Sequence, residues 1–281
     1  MRAFRQVDVF SAQPLLGNPV AVVHDADSLS EEEMAAFARW TNLSETTFLM
    51  APTPGAGADY RLRIWTPGGE LPFAGHPTLG SAHAWLEAGG VPASPGHVVQ
   101  ECGAGLVRVR QGERLAFAAP PLLRSGPVDV DDLTRIADAL AIEESDIVDS
   151  AWIDNGPGWV GLLLRDADAV LAVRPDLARF GDLDVGVVGL YPEGSPDGVA
   201  VEVRAFCPGL GVVEDPVTGS LNAGIAQWLA GSRLPTSYVA SQGAALGRRG
   251  RVHVSVEGDG AEREVWVGGD TLTTITGTVA L

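Results

Sequence analysis

One polar, glycine-rich pattern occurs twice in this chain at a nearly constant separation. Arg63-Ile64-Trp65-Thr66-Pro67-Gly68 leads to Gly75-His76-Pro77-Thr78-Leu79-Gly80-Ser81. Arg204-Ala205-Phe206-Cys207-Pro208-Gly209 leads to Glu214-Asp215-Pro216-Val217-Thr218-Gly219-Ser220. The upstream motifs stand 141 residues apart (Pro67 to Pro208) and the loops 139 (Pro77 to Pro216). A third anchor, Asn18-Pro19 before an apolar run at 20–23, faces Gly156-Pro157 before one at 160–163, at a spacing of 138. Three ordered, near-equal offsets imply two related halves, and a cleft between such halves is a natural ligand site.

The totals allow this. A chain of 281 residues, 46% hydrophobic and 20% charged, can bury the cores of two globular domains. The Pro120-Pro121 region is the best boundary, giving an N-terminal half at 1–119 and a C-terminal half at 120–281, with the last strand, 271–281, assignable to either. The net charge of −17 argues against nucleic-acid binding, which needs clustered cations. All 19 basic residues are arginine. Without lysine, pyridoxal-phosphate, Schiff-base aldolase and P-loop chemistry are excluded. Cys102 and Cys207 form no metal-ligand or CxxC spacing and read as buried small apolar groups. The first ten residues carry Arg2, Arg5 and Asp8 and no long apolar run, unlike a signal peptide. No run reaches the ~18 apolar residues of a membrane span. These features point to a cytoplasmic location.

Short alternating runs separated by turns predict mainly antiparallel sheet. Ser28 and Ser30 can cap a helix over 31–40, with Glu31-Glu32-Glu33 in its first turn and Met34, Phe37 and Ala38 on its apolar face. Residues 77–87 and 218–229 read as helices with almost no charge, and an uncharged helix is a buried one. The pattern is α+β, each half a sheet wrapped around one buried helix.

The two loops stand before those helices, where free N–H groups and the positive dipole end favour a carboxylate or phosphate. Gly75, Gly80 and Gly219 permit close backbone approach, and Pro77 suits a first helical turn. Ordinary capping is the competing account, with Asp215 as cap and Thr218 and Ser220 in the first turn. His76 shares its loop with glycines at a helix start. Glu45, flanked by Ser44 and Thr46 with no neighbouring charge, is the most interesting carboxylate, because desolvation would lift its pKa toward neutrality. On spacing alone it reads first as a helix or turn cap residue. Gly103-Ala104-Gly105 and Gly209-Leu210-Gly211 lack the third glycine of a dinucleotide fingerprint, and neither Ser81 nor Ser220 sits in a nucleophile elbow. No HExxH or other convergent metal set occurs.

Taken in order, these segments resemble one family. Asp8-Val9-Phe10 with Gly17-Asn18-Pro19, Leu43-Ser44-Glu45-Thr46-Thr47-Phe48, Gly75-His76-Pro77-Thr78-Leu79-Gly80, Glu214-Asp215-Pro216-Val217-Thr218-Gly219-Ser220, and Ser241-Gln242-Gly243 before Gly247-Arg248 resemble the PhzF-like phenazine-biosynthesis isomerases of the diaminopimelate epimerase-like superfamily. Arg249 stands where the family usually has proline. The resemblance implies two pseudo-symmetric domains, each a twisted, mainly antiparallel sheet around a central helix, with the active site between them. It implies a homodimer acting without cofactor or metal on a small-molecule carboxylate. The characterised family reaction is isomerisation of trans-2,3-dihydro-3-hydroxyanthranilate. By carry-over, Glu45 is the acid/base, with His76, Asp215 and Ser220 orienting substrate or assisting proton transfer. Backbone N–H groups near Gly75 and Gly219 hold the carboxylate, and Asn18, Ser44, Pro77 and Thr218 complete the binding set. The superfamily's racemases use a cysteine in each glycine-rich loop, and neither loop here has one. The alternatives are a racemase or epimerase with non-cysteine bases, and a non-catalytic binding protein on the same scaffold.

Overall fold

The structure, a computed structural model, describes residues 1–193, 195, 197–208 and 212–281. Gly209, Leu210 and Gly211, which hold the second Gly-x-Gly run, lie outside the described residues. The chain divides into two compact units, Met1–Ala118 with Gly268–Leu281, and Ala119–Val267.

The first unit contains β1 (Arg2–Val9), β2 (Asn18–Val23), α1 (Glu31–Thr41), β3 (Glu45–Met50), β4 (Tyr60–Trp65), β5 (Glu70–Leu71), α2 (Gly75–Glu87), β6 (His97–Cys102), β7 (Gly105–Arg110) and β8 (Leu115–Ala118). β1 pairs antiparallel with β2, β2 parallel with β3, and β3 antiparallel with β4. β4 then pairs antiparallel with β5 and parallel with β6, which pairs antiparallel with β7.

The second unit contains β9 (Arg124–Gly126), α3 (Val130–Leu140), β10 (Ile147–Asp154), β11 (Trp159–Leu164), α4 (Ala167–Ala172), β12 (Asp184–Leu190), β13 (Val201–Cys207), β14 (Val212–Asp215), α5 (Gly219–Leu229), β15 (Ser237–Gln242) and β16 (Gly250–Glu257). From β10 to β16 the pairings run antiparallel, parallel, antiparallel, antiparallel, parallel, antiparallel, the same order as β1 to β7. The chain continues through β17 (Glu264–Gly269) to β18 (Thr271–Val279), which pairs antiparallel with β1.

Each unit packs one nearly uncharged helix on its sheet. α2 lies against β1, β2 and β3, and α5 against β10, β11 and β16. Small residues allow that approach. A Cβ on Gly80 would stand 2.3 Å from Val20 Cγ1, and one on Gly224 would stand 2.6 Å from the Ile153 carbonyl. α1 is set by a capping box between Ser30 and Glu33, and it buries Met34, Phe37 and Ala38 against Val23, Phe48, Met50 and Trp65.

Three features depart from the sequence reading. α2 begins at Gly75, so Gly75 and His76 lie inside its first turn rather than before it, and the cap of α5 is Thr218 rather than Asp215. Pro77 is tolerated there because its missing N–H would have no intrahelical acceptor. Cys207 is buried, but Cys102 is only half-buried, at the end of the β6–β7 hairpin. The sequence pattern does not reveal α4, β12 or β15. β12 is interrupted by Gly186 and Gly189, whose Cβ positions would strike Leu221 of α5 and the Asp166 carbonyl before α4. Close packing on its two faces therefore removes the side chains that would mark a strand.

Candidate active site

In the first unit, loop geometry and helix start bring Asn18, Ser44, Glu45 and His76 together. Asp8 is buried, and its Oδ2 accepts the N–H groups of Leu16 (3.1 Å) and Gly17 (3.2 Å), which fixes the loop entering β2 at Asn18. Ser44 Oγ donates to Asn18 Oδ1 at 3.4 Å. The amide therefore presents Nδ2 to His76 Nδ1, at 3.3 Å. On the other side of the ring, Nε2 faces Glu45 Oε2 at 3.4 Å.

Glu45 points toward α2 for a register reason. Glu45 and Val20 are side by side in the parallel β2–β3 pair, and the next residue on the same face, Thr47, accepts a hydrogen bond from Ser81 of α2 at 2.9 Å. His76 is 3% exposed, and burial pushes its pKa down to about 3, opposed only in part by the Pro19 carbonyl. The imidazole that Glu45 meets is thus neutral at pH 7, and the contact is not an ion pair. Its length suits a pair that tightens when substrate arrives. The N–H groups of Gly75 and His76 precede the first intrahelical bond, Thr78 to Ala74 at 3.2 Å, and have no acceptor within the helix.

In the second unit, Asp215 ends β14, and its Oδ2 accepts from Thr218 Oγ1 at 2.6 Å. Gln242, at the end of β15, ties this turn together. Its Oε1 accepts from Thr218 N and Asn222 Nδ2, both at 3.0 Å, and its Nε2 donates to the Asp215 carbonyl (3.1 Å) and to Thr218 Oγ1 (2.8 Å). The buried Arg204 guanidinium grips both oxygens of Glu214 at 2.8 Å, which anchors the residue before Asp215. Ser220 is held from two sides: Trp159 Nε1 donates to its Oγ (3.0 Å) and Asn155 Nδ2 to its carbonyl (2.9 Å).

The predicted residues therefore fall into two groups: Asn18, Ser44, Glu45, Gly75, His76 and Pro77 in one unit, and Asp215, Thr218, Gly219 and Ser220 in the other. Sequence reasoning missed Gln242, Asn155 and Trp159 as members. Gln242 stood in the Ser241-Gln242-Gly243 motif, and Asn155 and Trp159 flank the Gly156-Pro157 anchor, so the repeat offset held that signal. Among the described residues no group of three or more His, Cys, Asp and Glu could hold a metal ion. No helix among them is long and apolar enough to cross a membrane.

The match that decides the family is to the model of phenazine biosynthesis-like proteins, over residues 7–277. The chain belongs to this family. A Schizosaccharomyces pombe protein named antisense-enhancing sequence 1 is 37% identical, over 98% of this chain and 97% of its own. The trans-2,3-dihydro-3-hydroxyanthranilate isomerase of Pseudomonas aeruginosa is 35% identical, over 92% of each chain. A family crystal structure from Enterococcus faecalis superposes with a TM-score of 0.80 at 27% identity over the full length of both chains. The fold is accordingly the sheet-dominated α+β fold of this family, and the chain is an enzyme of the isomerase class.

Proposed function

We propose that the chain is a cofactor-independent isomerase that moves a proton and a double bond within a small cyclic or unsaturated carboxylate, with Glu45 as acid/base. The observation that carries this reading is the Glu45 carboxylate set 3.4 Å from the Nε2 of a buried, neutral His76. A neutral imidazole beside the carboxyl adds no positive charge to hold it ionised, leaving Glu45 able to accept and return a proton. Glu45 takes a proton from carbon, breaking the C–H bond and forming its own O–H. The allylic electrons shift, and Glu45 returns the proton to another carbon of the same system. No net oxidation occurs, so the step needs no co-reactant. Asp215, Thr218 and Ser220 serve as substrate-orienting groups, and N–H groups at the helix starts bind carboxylate. The P. aeruginosa relative's name motivates trans-2,3-dihydro-3-hydroxyanthranilate as the first compound to try. By the same resemblance the enzyme works as a homodimer in the cytoplasm, which light scattering and fractionation check.

The test is NMR in D₂O with that compound and a panel of small cyclic, unsaturated and amino acids. A shifted double bond with deuterium at the new C–H position is the expected result. Inversion at a single stereocentre, with no double-bond movement, would instead establish an epimerase.

A further inference from the structure

Asp184 opens β12, and nothing in the reaction outlined above uses it. It is 6% exposed, and among the described residues its Oδ1 is buried with no hydrogen-bond partner. Its direction follows from register. Asp184 lies beside Trp159 in the parallel β11–β12 pair, so the two side chains share a face of the sheet. Trp159 reaches Ser220 of α5 on that face, and a Cβ on Gly186, two residues along β12, would stand 2.2 Å from Leu221 Cδ1 of α5. Asp184 therefore faces the first turn of α5. Asn155, which is 3% exposed and holds the Ser220 carbonyl, brings a second buried oxygen without a partner, its Oδ1.

This arrangement repeats the one around Glu45. Glu45 is the first residue of β3, paired in parallel with β2 and facing the first turn of α2. Asp184 is the first residue of β12, paired in parallel with β11 and facing the first turn of α5. The two carboxyls stand 139 residues apart (Glu45 to Asp184), the offset of the loops themselves. Their partners differ: His76 is the second residue of α2, and Ser220 the second residue of α5.

We propose that Asp184 is a specificity-determining contact in the second unit, donating its carboxyl O–H to a ligand carboxylate lodged against the N–H groups of Gly219, Ser220 and Leu221. Those N–H groups precede the first intrahelical bond of α5, from Asn222 to Thr218, and carry the positive end of the helix. The Ser220 hydroxyl, already accepting from Trp159, has its own O–H to donate. An ionised Asp184 would repel such a ligand. Burial alone raises its pKa, to about 7, with no neighbouring charge contributing, so the protonated donor is present at neutral pH. A buried carboxyl with an oxygen left unpartnered is unfavourable compared with an apolar residue of similar size, so stability does not account for this choice at the strand start.

This inference rests on the reading of the substrate as a small carboxylate. Its test reads binding rather than turnover, so a failure of the isomerase reading is seen separately. Benzoate is titrated at pH 7 into the full-length wild type, Asp184→Asn and Asp184→Leu, with the amide resonances of Gly219, Ser220 and Leu221 as readout. The amides of wild type are expected to shift on saturation. Asp184→Asn, which keeps a neutral donor, should bind within threefold of wild type, and Asp184→Leu at least tenfold more weakly. The carboxyl ¹³C resonance of Asp184 in wild type should move toward the protonated position as benzoate saturates, a readout that needs no variant to fold. Equal affinity of wild type and Asp184→Leu, no shift at these amides, or an unmoved Asp184 carboxyl would overturn the proposal.

Discussion

His76 and Asp184 show how burial sets chemistry one residue at a time. Burial drives one toward its neutral base and the other toward its neutral acid, so the same cause favours the uncharged form of each. His76 should therefore show no titration in its imidazole resonances between pH 8 and 5, and a ring that protonated in that range would contradict its assigned role. Replacing it by alanine removes the imidazole facing Glu45 and should lower kcat by about 10- to 100-fold with a smaller change in KM. Asp184 gives a stability prediction with a definite sign. Its folded pKa of about 7 exceeds the unfolded 3.8, so the folded state holds more protons between these values and stability falls as pH rises through that window. At about 1.4 kcal/mol for each pH unit across that window, the stability of Asp184→Asn relative to wild type should rise by about 3–4 kcal/mol between pH 4 and pH 8 in urea melts. A constant difference across that range would show that the carboxyl is not buried as described.

At the scale of elements, the helix starts are held by residues distant in sequence. From the end of β15 Gln242 satisfies three groups of the turn before α5 and the Asn222 amide within that helix, and Gly243 follows with φ +96°, where a Cβ would stand 2.6 Å from the Pro216 carbonyl. Gln242→Leu strands several buried polar groups and should cost about 3 kcal/mol or more in chemical denaturation, while loosening Asp215 and Thr218. A loss under about 1 kcal/mol would mean that the turn holds itself. These ties explain what could be read in advance. α1, α2, α5 and most strands were legible because periodicity, capping residues and absent charge are local signals. β12 was not, because Gly186 and Gly189 answer to α5 and the start of α4 rather than to their own strand. The start of α2 at Gly75 was obscured because Gly75 and His76 read as loop residues, although a first helical turn accepts both.

For the whole molecule, the offsets near 140 residues were the most productive sequence feature, since they drew attention to the loops that carry His76, Asp215 and Ser220. They misaligned one detail. Equal loop spacing set His76 opposite Asp215, whereas the helix starts set His76 opposite Ser220, because α5 begins later after its turn. The extra residues carry the Asp215–Thr218–Gln242 network, which one repeat could not have announced from the other. Net charge acts at the same scale. At −17 the molecule repels an anionic substrate until local N–H groups capture it. Raising ionic strength from about 10 to 150 mM should therefore lower KM for a carboxylate substrate while leaving kcat unchanged, as screening shortens the reach of that repulsion. A KM that rises with salt would instead point to attraction by a local cationic patch.

The role of Glu45 as proton carrier is decided by Glu45→Gln with a compound that the wild-type enzyme isomerises, followed in D₂O. Double-bond movement and deuterium uptake are expected to fall by about a thousandfold or more while substrate binding stays within threefold. Turnover in the variant at the wild-type rate would remove Glu45 from the mechanism.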